Sequence, residues 1–129
     1  MVFVFTIILF FFQIIFLMPH TILLIQPTTQ SNSRTWSDYE TQAASLDAIC
    51  KIFETFARNK LPENAEFTFD INQVFEFLDK LTDISMMIFN AETAQYVPRN
   101  RSWIKQQLFE MFKSKCRHPE AGEKLIAGY

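Results

Sequence analysis

Glycine is nearly missing from this chain: of 129 residues only Gly122 and Gly128 are glycine, and both stand close to the C-terminus. That excludes a phosphate-cradling loop, which needs several glycines so that backbone N–H groups can approach the ligand. Cysteine is scarce too. Cys50 and Cys116 are far apart and fit neither a disulfide framework nor a zinc pattern, which favours a reducing compartment. The two histidines, His20 and His118, have no Cys, Asp or Glu at ligand spacing, so no metal site is expected. No Ser-His-Asp or Cys-His set is suggested by proximity, and neither a catalytic residue nor a cofactor is expected. Asp70, Glu76 and Asp79 are accounted for by helix capping and solvation rather than by acid-base work. With 12 Lys+Arg against 14 Asp+Glu, the net charge of −2 gives no general pull toward polyanions. A nucleic-acid site would have to be local, and the candidate is Arg99, Arg101 and Lys105 beside Tyr96 and Trp103, extended at most by Lys113, Lys115 and Arg117.

Charge is also absent from Met1 to Ser33, where no Asp, Glu, Lys or Arg occurs, while six of the fifteen phenylalanines crowd into the first 17 residues. A helix over Val2 to Leu17 would be about 24 Å long at 1.5 Å per residue, short of the roughly 30 Å of bilayer hydrocarbon. It lacks the basic opening of a secretory signal, and Phe16-Leu17-Met18-Pro19 is a poor cleavage site. Residues 1–17 therefore read either as a hydrophobic anchor or as translation upstream of a start at Met18.

From Met18 onward the chain reads as one domain to about residue 117, followed by a tail over 118–129. His20 to Gln26 is β-rich and stops at Pro27. It is apolar on both faces: Thr21, Leu23 and Ile25 project one way, Ile22 and Leu24 the other. If helices cover the first set, the second needs another cover, and a second copy of the chain is the simplest one. Ile22 and Leu24 are thus the candidate dimer interface. Thr28 to Arg34 reads as a polar loop. Ser37-Asp38-Tyr39-Glu40 has the spacing of a capping box and predicts a helix to about Asn59, with Ala43, Leu46, Ile49, Cys50, Phe53 and Phe56 on its apolar stripe. Glu66 to Phe69 alternates as a short strand. Asp70 then caps a helix with Ile71, Val74, Phe75, Leu78 and Leu81 inward and Glu76, Asp79 and Asp83 outward, Glu76 pairing with Lys80. Ile84–Phe89 and Ala94–Val97 form a hairpin closed by Pro98. Ser102 caps a last helix with Trp103, Ile104, Leu108, Met111 and Phe112 inward. The order predicts an α+β fold, a small four-stranded and mainly antiparallel sheet with three helices on one face.

Four blocks in order, Met18-Pro-His-Thr-Ile-Leu-Leu-Ile-Gln-Pro27, Arg34-Thr-Trp-Ser-Asp-Tyr-Glu40, Phe69-Asp-Ile-Asn-Gln-Val-Phe-Glu-Phe-Leu-Asp79 and Tyr96-Val-Pro-Arg-Asn-Arg-Ser-Trp-Ile-Lys105, closely resemble the enhancer of rudimentary family. The resemblance runs from Met18 to about Cys116. It implies a homodimer formed through the sheets. It further implies an adaptor without catalytic activity that receives peptide segments of RNA-processing and transcription factors, in the nucleus and also the cytoplasm, with roles in RNA metabolism and the cell cycle. It makes Met18 the counterpart of the usual initiator and leaves residues 1–17 outside the family pattern, so a membrane is a partner only through those residues. Thr35 and Ser37 each stand three before an acidic residue, an acidophilic-kinase spacing that the family is also said to carry near this loop.

Overall fold

The computed structural model describes residues 2–17 and 19–117, with the side chains of 11–17 and 115–117 left out; the tail from His118 lies outside the described residues. Its elements are α1 (Val2–Leu17), β1 (Thr21–Gln26), β2 (Thr35–Tyr39), α2 (Gln42–Arg58), α3 (Ile71–Lys80), β3 (Asp83–Asn90), β4 (Gln95–Arg99) and α4 (Arg101–Arg117). The four strands form one antiparallel sheet in the order β2-β1-β3-β4, so the expected α+β architecture holds.

The apolar core lies between one face of this sheet and α2, α3 and α4. Leu23, Ile84 and Met86 come from the sheet, Leu46, Ile49 and Phe53 from α2, Val74 and Leu78 from α3, and Ile104, Leu108 and Phe112 from α4. Cys50 is buried among them as a small apolar residue. Each helix places its apolar positions three or four residues apart, which lines them along one side. On α2 the stripe is narrower than its sequence suggests: Ala43 is exposed and Phe56 is 39 % exposed. On α3, Phe77 is buried although it stands outside the expected set, while Phe75 is half-buried.

Two expected elements trade places. The Ser37–Glu40 segment does not open a helix, because Thr35–Tyr39 is drawn into the ladder against β1 and leaves Ser37 paired with Leu23 across the strands. The Ser37 hydroxyl donates to the Tyr39 hydroxyl at 3.0 Å, and the real N-cap is Thr41, whose Oγ1 accepts from Ala44 N–H. A central strand needs hydrogen-bonding partners on both edges, and that demand outweighs the local capping pattern. Conversely, Glu66–Phe69 forms no strand. Its alternation serves aromatic packing: the Phe69 and Phe67 rings lie 5.0 and 6.3 Å from Phe53 on α2.

Smaller corrections follow the same logic. Asn100 rather than Ser102 caps α4, its Oδ1 accepting from Trp103 N–H at 2.9 Å. Pro98 sits inside β4, where the missing N–H is tolerated because β4 is an edge strand. Glu76 and Lys80 form no ion pair; Lys105 Nζ donates instead to Asp79 Oδ1, tying α4 to α3. The hairpin loop between Asn90 and Gln95 uses Ala94 at φ 55°, a left-handed position that costs a non-glycine residue about 1–2 kcal/mol and that the glycine-poor chain fills with alanine.

Asp70 caps α3 as expected, and Gln73 completes a capping box that the sequence reading did not include: Asp70 Oδ1 accepts from Gln73 N–H at 3.0 Å while Gln73 Oε1 accepts from Asp70 N–H at 2.9 Å. Replacing Asp70 by Ala removes the carboxylate that accepts from Gln73 N–H, leaves the backbone N–H of residue 70 facing Gln73 Oε1, and is expected to lower unfolding free energy by about 1 kcal/mol in urea titration. An unchanged midpoint would show that the cap is dispensable.

Candidate functional site

The helices cover one face of the sheet and leave the other open. Along β1 the alternation is sharp: Thr21 and Leu23 are 0 and 1 % exposed under the helices, whereas Ile22 is half-buried and Leu24 is 37 % exposed. Directly opposed residues of antiparallel strands share a face, so the register maps the open side. One row across it is Trp36, Leu24 and Ser85; the next is Asp38, Ile22, Met87 and Pro98; the third pairs Phe89 with Tyr96. The Phe89 and Tyr96 rings are 5.2 Å apart, and Trp36 stands 70 % exposed at the β2 edge. The result is an apolar strip along the open face of the sheet.

Polar groups are gathered at one end of the strip. His20, just before β1, links the two outer strands: its Nδ1 lies 2.8 Å from the Tyr96 hydroxyl and its Nε2 3.1 Å from Asp38 Oδ2. At the other end a shallow hollow of about 180 Å³ is lined by Leu24, Gln26, Arg34, Asp83 and Ser85 among others. Strips of this kind, apolar at the centre and polar at the rim, have the build of protein interfaces rather than of a small-molecule cleft.

The helix layer carries a second concavity. Between the C-terminal half of α2, the loop after it, and α3 lies a cavity of about 420 Å³ lined by Phe53, Phe56, Phe67 and Phe77 and also by Lys60, Glu66, Gln73, Glu76 and Lys80. Lys60 Nζ sits 4.1 Å from the centre of the Phe56 ring.

Ile22 and Leu24 thus lie together at the centre of the open face. Arg99, Arg101 and Lys105 are each held within the chain. Arg101 Nη2 donates to the carbonyls of Leu81 and Thr82 at 2.7 and 3.4 Å, Arg99 lies over the Trp103 ring at 5.2 Å, and Lys105 binds Asp79. Thr35 and Ser37 sit on β2: Thr35 is exposed, and Ser37 is half-buried on the helix side with Leu23. No cluster of His, Cys, Asp or Glu suited to a metal ion occurs among the described residues.

Sequence reasoning missed Trp36, Asp38, His20, Met87, Phe89 and Tyr96 as members of this face. Met87 and Phe89 had a signal, because the run Ile84–Phe89 is apolar on both faces in the same way as β1. Trp36 and Asp38 were hidden by the capping pattern that disguised β2.

A four-stranded antiparallel sheet, helices packed on one face and an apolar strip on the other define a small α+β domain with one sheet face uncovered. The chain belongs to the enhancer of rudimentary family: the model of that family, described as "Enhancer of rudimentary", matches residues 17–118. An enhancer of rudimentary homolog from Caenorhabditis elegans is 41 % identical over 101 residues, covering 78 % of this chain and 98 % of that protein. A protein enhancer of rudimentary from Drosophila virilis is 36 % identical over 104 residues, covering 81 % of this chain and 100 % of its own length. A homolog from Arabidopsis thaliana is 32 % identical over 94 residues, covering 73 % and 86 %.

Proposed function

We propose that the protein is a non-enzymatic adaptor that pairs with a second copy of itself through the open sheet face. Its remaining surface is offered to peptide segments of RNA-processing and transcription factors, in RNA metabolism and the cell cycle. The observation that carries this reading is the apolar strip centred on Ile22 and Leu24, on a sheet whose other face is already filled. Two sheets can stack face to face at about 10 Å, and a two-fold axis lets the same strip serve both partners. Burying Ile22 and Leu24 in each subunit contributes about 6–12 kcal/mol before association entropy is subtracted. In such a pair the cavity between α2 and α3 stays open on the helix side of each subunit, giving one dimer two seats that combine phenylalanine rings with charged groups of both signs for partner segments.

An RNA-binding module would use Arg99, Arg101 and Lys105 instead. Those groups already have partners within the chain, so the adaptor reading expects RNA to be reached through other proteins. Titration of the protein with labelled single-stranded RNA at low and moderate salt is expected to show no salt-sensitive binding. A Kd that weakens steeply with salt, and that Arg99→Ala with Lys105→Ala abolishes, would put direct RNA contact in its place.

A further inference from the structure

The helix α1 has a surface that nothing in the sheet domain explains. From Val2 to Phe10 every side chain is exposed, Phe3 at 80 % and Phe5 at 68 %. Nine successive residues at 100° each pass more than twice around a helix, so the exposed apolar surface is on all sides. A helix that docks on protein keeps a polar side toward water; of the 16 residues in α1 only Thr6 and Gln13 are polar. The Thr6 hydroxyl is satisfied inside the helix, donating to the Val2 carbonyl at 2.9 Å, as an apolar environment requires. The matched family region starts at residue 17, and relatives are covered over nearly their whole length without α1. The helix is therefore an addition to the adaptor domain.

We propose that α1 is a lipid anchor, which buries its all-round apolar surface in the hydrocarbon of a phospholipid bilayer and holds the sheet domain at the membrane surface. Hydrocarbon is the one partner that matches a helix with no polar side and no charge. No described helix is long and apolar enough to cross a membrane, and at about 24 Å α1 inserts in a bilayer that thins around it or enters it only in part. Only Met18, Pro19 and His20 separate α1 from β1, so the sheet is carried close to the headgroups. This anchoring is separate from the pairing of sheets.

The test is flotation of the full chain, purified in detergent, after detergent is removed in the presence of phosphatidylcholine vesicles. Most of the protein is expected to rise with the vesicles and to stay there in high salt, because no cation of α1 takes part. Phe5→Lys with Ile8→Lys should cut the floating fraction by about tenfold or more, with the circular dichroism of the sheet domain unchanged. Full chain that stays at the bottom, whether single or joined to other copies through α1, would overturn the proposal. So would equal flotation of the two proteins, which would move the lipid contact to another surface such as the open sheet, and so would an intact mass from the native cell that begins at Met18.

Discussion

Ile22→Arg together with Leu24→Arg is expected to convert the protein from dimer to monomer, weakening association by at least about a thousandfold, or some 4 kcal/mol. Both side chains project from β1 away from the helices, with Met87 and Trp36 as their apolar neighbours. The substitutions remove the apolar area on which the proposed pairing rests. They also place two guanidinium groups per subunit on a self-complementary surface, where a two-fold axis brings like charges toward each other. The charges near them within the same subunit are Asp38, which is already engaged by His20, and Arg34 and Asp83, which line the hollow beside Leu24. Because neither residue belongs to the core, each subunit should keep its far-ultraviolet spectrum. Sedimentation velocity separates the outcomes, and a variant that still runs as a stable dimer would remove these two residues from the interface.

Leu23→Ala, one position away, should act on folding instead. Leu23 is 1 % exposed at the centre of β1, in line with Met86 on β3 and Ser37 on β2. Truncating a buried leucine combines lost transfer energy with the cavity left behind, for about 2–5 kcal/mol. A domain of this size has only about 5–15 kcal/mol of total stability, so much of it would be gone. Urea titration of Leu23→Ala beside Leu24→Ala makes the comparison direct: the first lowers the unfolding midpoint strongly, the second mainly raises the dissociation constant. Equal effects on folding would mean that the two faces of β1 are not divided as the burial pattern indicates.

That division was legible from the amino-acid order alone, since a strand with apolar residues at both odd and even positions must be covered twice. The helices α2, α3 and α4 were legible for a similar reason, because a stripe at three- and four-residue spacing survives most errors at the ends. What could not be read was decided by partners distant in sequence. Ser37 satisfies a capping box locally and joins a strand globally, because β1 offers a ladder edge that the local pattern does not contain. Phe67 and Phe69 alternate like a strand yet serve the Phe53 cluster. The open face suffered most from this. Ile22 and Leu24 were visible, but Trp36, Asp38 and the Phe89–Tyr96 pair take their places on it through register, which only the assembled sheet supplies.

The pairing of two open sheet faces is tested most directly by the mass of the native chain in solution. Sedimentation equilibrium at micromolar concentration, in density-matched detergent that covers α1, is predicted to give a particle of two 15.2 kDa chains, and that particle should give way to a single chain when Ile22 and Leu24 are both arginine. A single 15.2 kDa species for the unaltered chain, or a two-chain species that the arginine substitutions leave intact, would contradict it.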